Sequence, residues 1–216
     1  MIDTAHLYHY FEQSGGPFRS LTALSFEEAA AIQRAKRDAN PRSVNPNIEW
    51  FLTRRYEMER AVRDAFIALG GKPARTAPIY CTLGPNEGLK TWFAAPAWVK
   101  SPVSELGPDS VSFTYGDTFA VFNPALDTGE EYWGRVYRYD DIVKLIDRHG
   151  LPGDPPYDMK NWVFPKGKPI NQILKYIEAH VWSDAALEEY RRPETWNMHI
   201  DMRFHCPENA IRGEIA

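Results

Sequence analysis

Near the end of the chain, KYIEAHVWSD (175–184) places two groups capable of chemistry in an unusual setting. Read as a strand, it sends Ile177, Ala179 and Val181 to one face and Tyr176, Glu178, His180 and Trp182 to the other. The first is a core face. The second holds a carboxylate and an imidazole about 7 Å apart between Cα atoms. Two large aromatics flank them and would form an exposed apolar stripe if that face were wet. A half-buried cleft centred on Glu178 fits the pattern, and a solvated edge strand is the plainer alternative. In such a cleft a fixed carboxylate stabilises a developing positive charge, such as the oxocarbenium centre formed when a glycosidic bond breaks.

Three other patches carry chemistry-bearing residues. In HLYHYF (6–11), His6, Tyr8 and Tyr10 share one strand face. His9 points the other way with Leu7 and Phe11, as a functional group or as a hydrogen-bonded core histidine. SFTYGDTF (112–119) reads as a strand that ends at Tyr115 and turns at Gly116–Asp117. That is either a tight hairpin or one wall of a small-molecule pocket, with Tyr115 as a stacking platform. In WNMHIDMRFHC (196–206), His199, Asp201 and His205 alternate with apolar residues and could join His180 or Glu178 around a metal. Their spacing matches no ligand signature, so a charged outer face is the preferred reading and no metal is expected. Cys81 and Cys206 read as two buried thiols, with neither a disulfide framework nor C-x-x-C spacing.

The elements that must position these residues follow from periodicity and punctuation. Ser25 and Glu28 form a capping box ahead of a helix over 26–39. Asn45–Pro46 opens a second, with the proline at its first position, and Gly70–Gly71 closes it. Its apolar residues Ile48, Phe51, Leu52, Met58, Val62, Phe66 and Leu69 recur at helical spacing. Strands are expected at 78–83, 97–103, 110–115, 119–122 and 132–139, a turn into a short helix at GPNEG (84–88), and a helix over 140–150. LPGDPPYDMKNWVFPKGKP (151–169) is too long for an idle connection and reads as a mobile or functional loop. A short helix after Ser183 and the last strand complete the chain.

The reading is α+β: a single domain over 1–206, with a helical insert at 25–70, a sheet-rich core over 71–206 and a tail at 207–216. Its mixed or antiparallel sheets form a central cleft. Hydrophobic residues make up 44% of the 216-residue chain, which supports a packed core. The net charge of −4 does not favour nucleic-acid binding as the main role. With no membrane-length apolar run and no export signal, a cytoplasmic location is expected. The aromatic-rich surface leaves a homodimer open.

The order of the patches resembles the ADP-ribosyltransferase fold, nearest its DNA-modifying toxin branch. LYHY opens the chain, SFTYGDTF lies near the middle and ILKYIEAHVWSDAALEEY comes late. The resemblance covers these three short segments. It implies an NAD-holding groove between two small sheets, with His9 as the early histidine. Phe113, Thr114 and Gly116 would be the central stretch, and Glu178 the glutamate that bonds the nicotinamide ribose. NAD as substrate would then meet Glu178 and His9 at the reacting end. Tyr115, Thr114, Tyr176 and His180 would line the site, and Arg19 or an arginine of the second helix would hold the pyrophosphate. The implied activity is ADP-ribosyl transfer or NAD glycohydrolysis, with the acceptor open. A non-catalytic module binding a small molecule or a partner is the alternative. A metal-dependent enzyme using Glu178, His180, His199 and His205 is the third.

Overall fold

The computed structural model describes residues 4–39, 44–124, 127, 129–152 and 176–198. Among the described residues six strands form one sheet: β1 (His6–Glu12), β2 (Ile79–Leu83), β3 (Pro96–Pro102), β4 (Val111–Thr114), β5 (Glu178–Val181) and β6 (Asn197–Met198). Their order is β4-β5-β2-β1-β3-β6, and every neighbouring pair is antiparallel. Helices α1 (Phe26–Ala39), α2 (Ile48–Ala68), α3 (Glu87–Lys90), α4 (Thr118–Val121) and α5 (Tyr139–His149) complete the α+β architecture. Among the described residues no helix is long and apolar enough to cross a membrane. The described strands make one sheet where a pair of sheets around a cleft was expected.

The two faces of this sheet differ in chemistry, and that difference positions everything else. Directly paired residues of an antiparallel ladder point to the same side. Leu7, Phe11, Ile79, Cys81, Leu83, Ala97, Val99, Val111, Phe113, Ala179 and Val181 therefore form one apolar face. It packs against Ile142 and Leu145 of α5 and against Leu187 of the 3-10 helix Ala185–Arg191. The other face carries Ser112, Thr114, Glu178, His180, Tyr80, Thr82 and Tyr8. Helix α2 covers part of it: Val62 and Phe66 pack against Trp182 and Val136.

Helix α2 ends in a Schellman motif. Gly70 N–H donates to the Ile67 carbonyl and Gly71 N–H to the Phe66 carbonyl, both at 2.9 Å. Gly70 takes φ +84°, which a glycine adopts without strain. At Gly71 the constraint is steric, because a Cβ there would stand 2.5 Å from the ring of fully buried Phe66. Gly71→Ala is expected to destabilise the fold by about 1–3 kcal/mol, the usual cost of overpacking. Thermal unfolding of the variant beside Gly15→Ala, where a Cβ meets nothing within 4 Å, checks this.

Three local expectations are corrected. Helix α2 starts at Ile48 and its cap is Asn47, whose side chain accepts from Trp50 N–H; Pro46 lies before the cap and not at the first helical position. FAVF (119–122) is no strand: its first three residues belong to α4 and Phe122 caps it, with Asp117 accepting the Phe119 N–H at 2.8 Å to start the helical turn. Four apolar residues have no period that separates the two states. YWGRVYRY (132–139) forms only an isolated bridge between Tyr137 and Phe113 before α5 begins. The free thiol Cys81 is buried on the apolar face. Cys206, His199, Asp201, His205, the tail and the loop from 153 onward lie outside the described residues.

Candidate functional site

Glu178 opens β5 on the polar face, between Thr114 of β4 and Thr82 of β2. It is 8% exposed. Its Oε2 accepts two hydrogen bonds from one residue, Thr118: the backbone N–H at 2.9 Å and the hydroxyl. The Thr118 hydroxyl also meets His180 Nε2 at 2.8 Å, and that nitrogen stands 3.8 Å from Glu178 Oε2. The helical turn at 118–121 is therefore what places a donor pair over the carboxylate. Burial pushes the Glu178 pKa up, but hydrogen-bond donation from the His180 ring side and from the Thr118 hydroxyl and N–H holds the group below the usual carboxylate range. Glu178 is an anion at neutral pH.

His180, fully buried, continues a chain of polar contacts. Its Nδ1 lies 3.4 Å from Ser112 Oγ, which accepts the Trp182 indole N–H at 2.9 Å. Above this row sits α2. Glu59, 3% exposed, accepts the Tyr80 hydroxyl at 2.8 Å, Arg55 Nε at 3.0 Å and the Thr22 hydroxyl at 2.5 Å. The Arg55 guanidinium carbon lies 4.3 Å above the Tyr80 ring and 5.9 Å from that of Phe119, which stacks on Phe51. Burial works against the Arg55 charge, yet Tyr80, Glu59, Glu178 and Asp117 more than offset it. Tyr176 donates to Asp117 Oδ2 at 3.2 Å. A carboxylate anion, a charged guanidinium and aromatic rings thus meet between the sheet and α2.

The structure gathers Glu178, His180, Thr114 and Tyr176 in this region. Thr114 touches Thr118 at 3.2 Å and donates to the Gly116 carbonyl at 2.8 Å. It does not bring His9 or Tyr115 there. His9 projects from the apolar face, where Nδ1–H donates to the Tyr80 carbonyl at 2.8 Å and Nε2 accepts the Phe18 N–H at 2.9 Å. This corrects its placement beside Glu178: strand alternation puts position 9 opposite Tyr8, and Tyr8 pairs with Thr82 on the Glu178 face. Tyr115 likewise turns away, packing on Tyr132 at 4.7 Å and donating to the Gly150 carbonyl. Arg19 is exposed and follows Phe18, which packs on His9. The cation near Glu178 is Arg55 instead.

Burial lowers the His9 pKa from 6.5 to about 4, against the raising effect of its bond to Tyr80. Between those values the unfolded chain holds a proton that the folded chain does not, so stability falls as pH drops from about 6.5 to about 4. The contribution of this one group is about 3 kcal/mol. Urea unfolding at pH 7 and pH 4 of wild type and His9→Gln is expected to show the wild type's advantage shrinking by that amount.

Arg55, Glu59, Tyr80, Ser112 and Thr118 were not found from the sequence. Glu59 did leave a signal, because it falls on the buried line Leu52–Val62–Phe66 of α2, where a carboxylate needs partners. Thr118 left none, being hidden in an apparent hairpin. Among the described residues no three His, Cys, Asp or Glu side chains group as metal ligands. Searches of protein-family models, curated proteins and solved structures found no match to this chain.

Proposed function

We propose that the protein acts on a nicotinamide dinucleotide at its N-glycosidic bond, as an ADP-ribosyltransferase or NAD glycohydrolase, with Glu178 as the group that stabilises the oxocarbenium centre. The observation that carries this reading is the double donation from Thr118 to one oxygen of Glu178. It fixes the carboxylate as an anion in a largely dry setting, leaving the second oxygen to meet the reacting ribose. The bond from ribose C1′ to nicotinamide nitrogen breaks with its electron pair leaving on nicotinamide. An acceptor nucleophile or water then bonds to C1′ and gives up its proton to solvent. A preorganised anion at that position costs no reorganisation when the charge develops.

In this reading Arg55 takes the place sought for a pyrophosphate-binding arginine, since its charge is sustained by the surrounding carboxylates. Phe51, Phe119 and Tyr176 supply aromatic surface. His9 has no part in it. The test is nicotinamide release from NAD by wild type and Glu178→Gln: equal rates would end the proposal. The enclosure of Glu178 favours a second reading, a non-catalytic module that holds a cationic small molecule. That reading predicts saturable binding of NAD or nicotinamide riboside with no turnover by the wild type.

A further inference from the structure

The polar chain behind Glu178 has a direction, set at its far end by a group that can only donate. The Trp182 indole N–H gives its proton to Ser112 Oγ. The Ser112 hydroxyl proton then has the His180 Nδ1 lone pair as its acceptor among the described residues. His180 must in turn carry its proton on Nε2, which donates to Thr118 Oγ1. The Thr118 hydroxyl proton goes to Glu178 Oε2. Thr114 cannot divert the chain, because its own proton is spent on the Gly116 carbonyl. Every hydroxyl and ring proton then has an acceptor, as buried polar groups require. A doubly protonated His180 would leave the Ser112 proton without one among the described residues, in a place where Ser112 and His180 are both 0% exposed.

We infer that Trp182, Ser112 and His180 form a one-way positioning relay that locks His180 in its neutral Nε2–H form and, through Thr118, keeps the Glu178 carboxylate aimed and ionised for a cationic ligand group. This rests on the reading of Glu178 above. The titratable groups that face His180 are Glu178 on β5 and Tyr80 on β2; Glu59 and Arg55 of α2 lie on the far side of Tyr80, bonded to its hydroxyl and stacked over its ring. Trp182 is a positioning residue, since it bonds Ser112 and packs on Phe66. In Trp182→Phe the smaller ring leaves room for a water that accepts the Ser112 proton, so Ser112 can accept from His180 instead. The chain then reverses, with Nδ1–H on His180, and Thr118 turns its proton from Glu178 to Nε2.

The experiment is long-range proton–nitrogen NMR of the histidine rings in the full chain, assigned through the backbone, at pH 7, for wild type, Trp182→Phe, Thr118→Val and Thr118→Ser. At pH 7 wild-type His180 is expected to show the Nε2–H pattern, and Trp182→Phe a mixture with the Nδ1–H form. In nicotinamide release, Trp182→Phe and Thr118→Val should each lose about tenfold or more and shift the acid limb upward, with Thr118→Ser restoring both. An Nδ1–H or doubly protonated wild-type His180 at pH 7, or an unaltered pattern in Trp182→Phe, overturns the relay whether or not the protein turns over NAD. The expected ring patterns in a protein that releases no nicotinamide support the relay and sink only the glycosidic reading. Should Trp182→Phe fail to fold, the Thr118 pair decides alone: equal acid limbs in Thr118→Val and wild type would overturn the proposal.

Discussion

Glu178→Gln is expected to lower nicotinamide release from NAD by about 10²–10³-fold, the scale on which one preorganised electrostatic group acts in a water-poor site. The amide keeps the size of the side chain, and its carbonyl oxygen can still accept from Thr118, so the fold should survive. What disappears is the full negative charge. Glu178→Ala is the poorer test, because it strands the Thr118 hydroxyl and N–H in the interior and adds a stability loss of about 1–3 kcal/mol. A kcat reduction at little-changed KM would place the charge in the transition state, whereas a rise in KM alone would make Glu178 a binding group. The pH profile should agree: with its pKa held below the ordinary range, Glu178 supports activity across neutral pH, and the rate falls only as acid protonates it. A wild type that binds NAD without turnover would hand the site to the binding-module reading.

Glu59→Ala should be the most damaging stability substitution, costing about 3–5 kcal/mol, because it breaks a buried ion pair from one side only. Glu59 gathers Thr22, Tyr80 and Arg55, and its loss strands the Arg55 charge, whose side chain is 24% exposed. Replacing both partners, as in Glu59→Leu with Arg55→Met, should recover much of that loss, because a buried pair contributes little net stability compared with apolar packing of similar volume. Urea midpoints of the two variants measure this. The double variant also separates two roles: a folded protein with weakened NAD affinity would mark Arg55 as a ligand-holding cation. If Glu59→Ala were neutral, the constellation on α2 would contribute nothing to the fold.

Helix α1 and strands β1 to β5 were legible because each carries a local signal. The Ser25–Glu28 capping box is closed as expected, with Ser25 N–H donating to the Glu28 carboxylate at 2.9 Å. Alternation at 176–182 correctly separated the core face from the Glu178 face. Where local signal was short or ambiguous the reading failed. FAVF became a helical turn because Asp117 and Glu178 both accept N–H groups at its start, and Glu178 is sixty positions away.

The sequence by itself determined the α+β class, the boundaries of its strongest elements and the placing of a carboxylate and an imidazole on one strand face. Only the tertiary structure decided their company. Periodicity tells which way a side chain points from its own backbone, but strand order and register decide what stands opposite it. The order β4-β5-β2-β1 set Ser112, Thr114 and Tyr80 beside Glu178 and His180, and turned His9 to the other side of the sheet. Helix α2 brought Glu59 onto Tyr80 and set Arg55 within electrostatic reach of Glu178, more than a hundred positions along the chain.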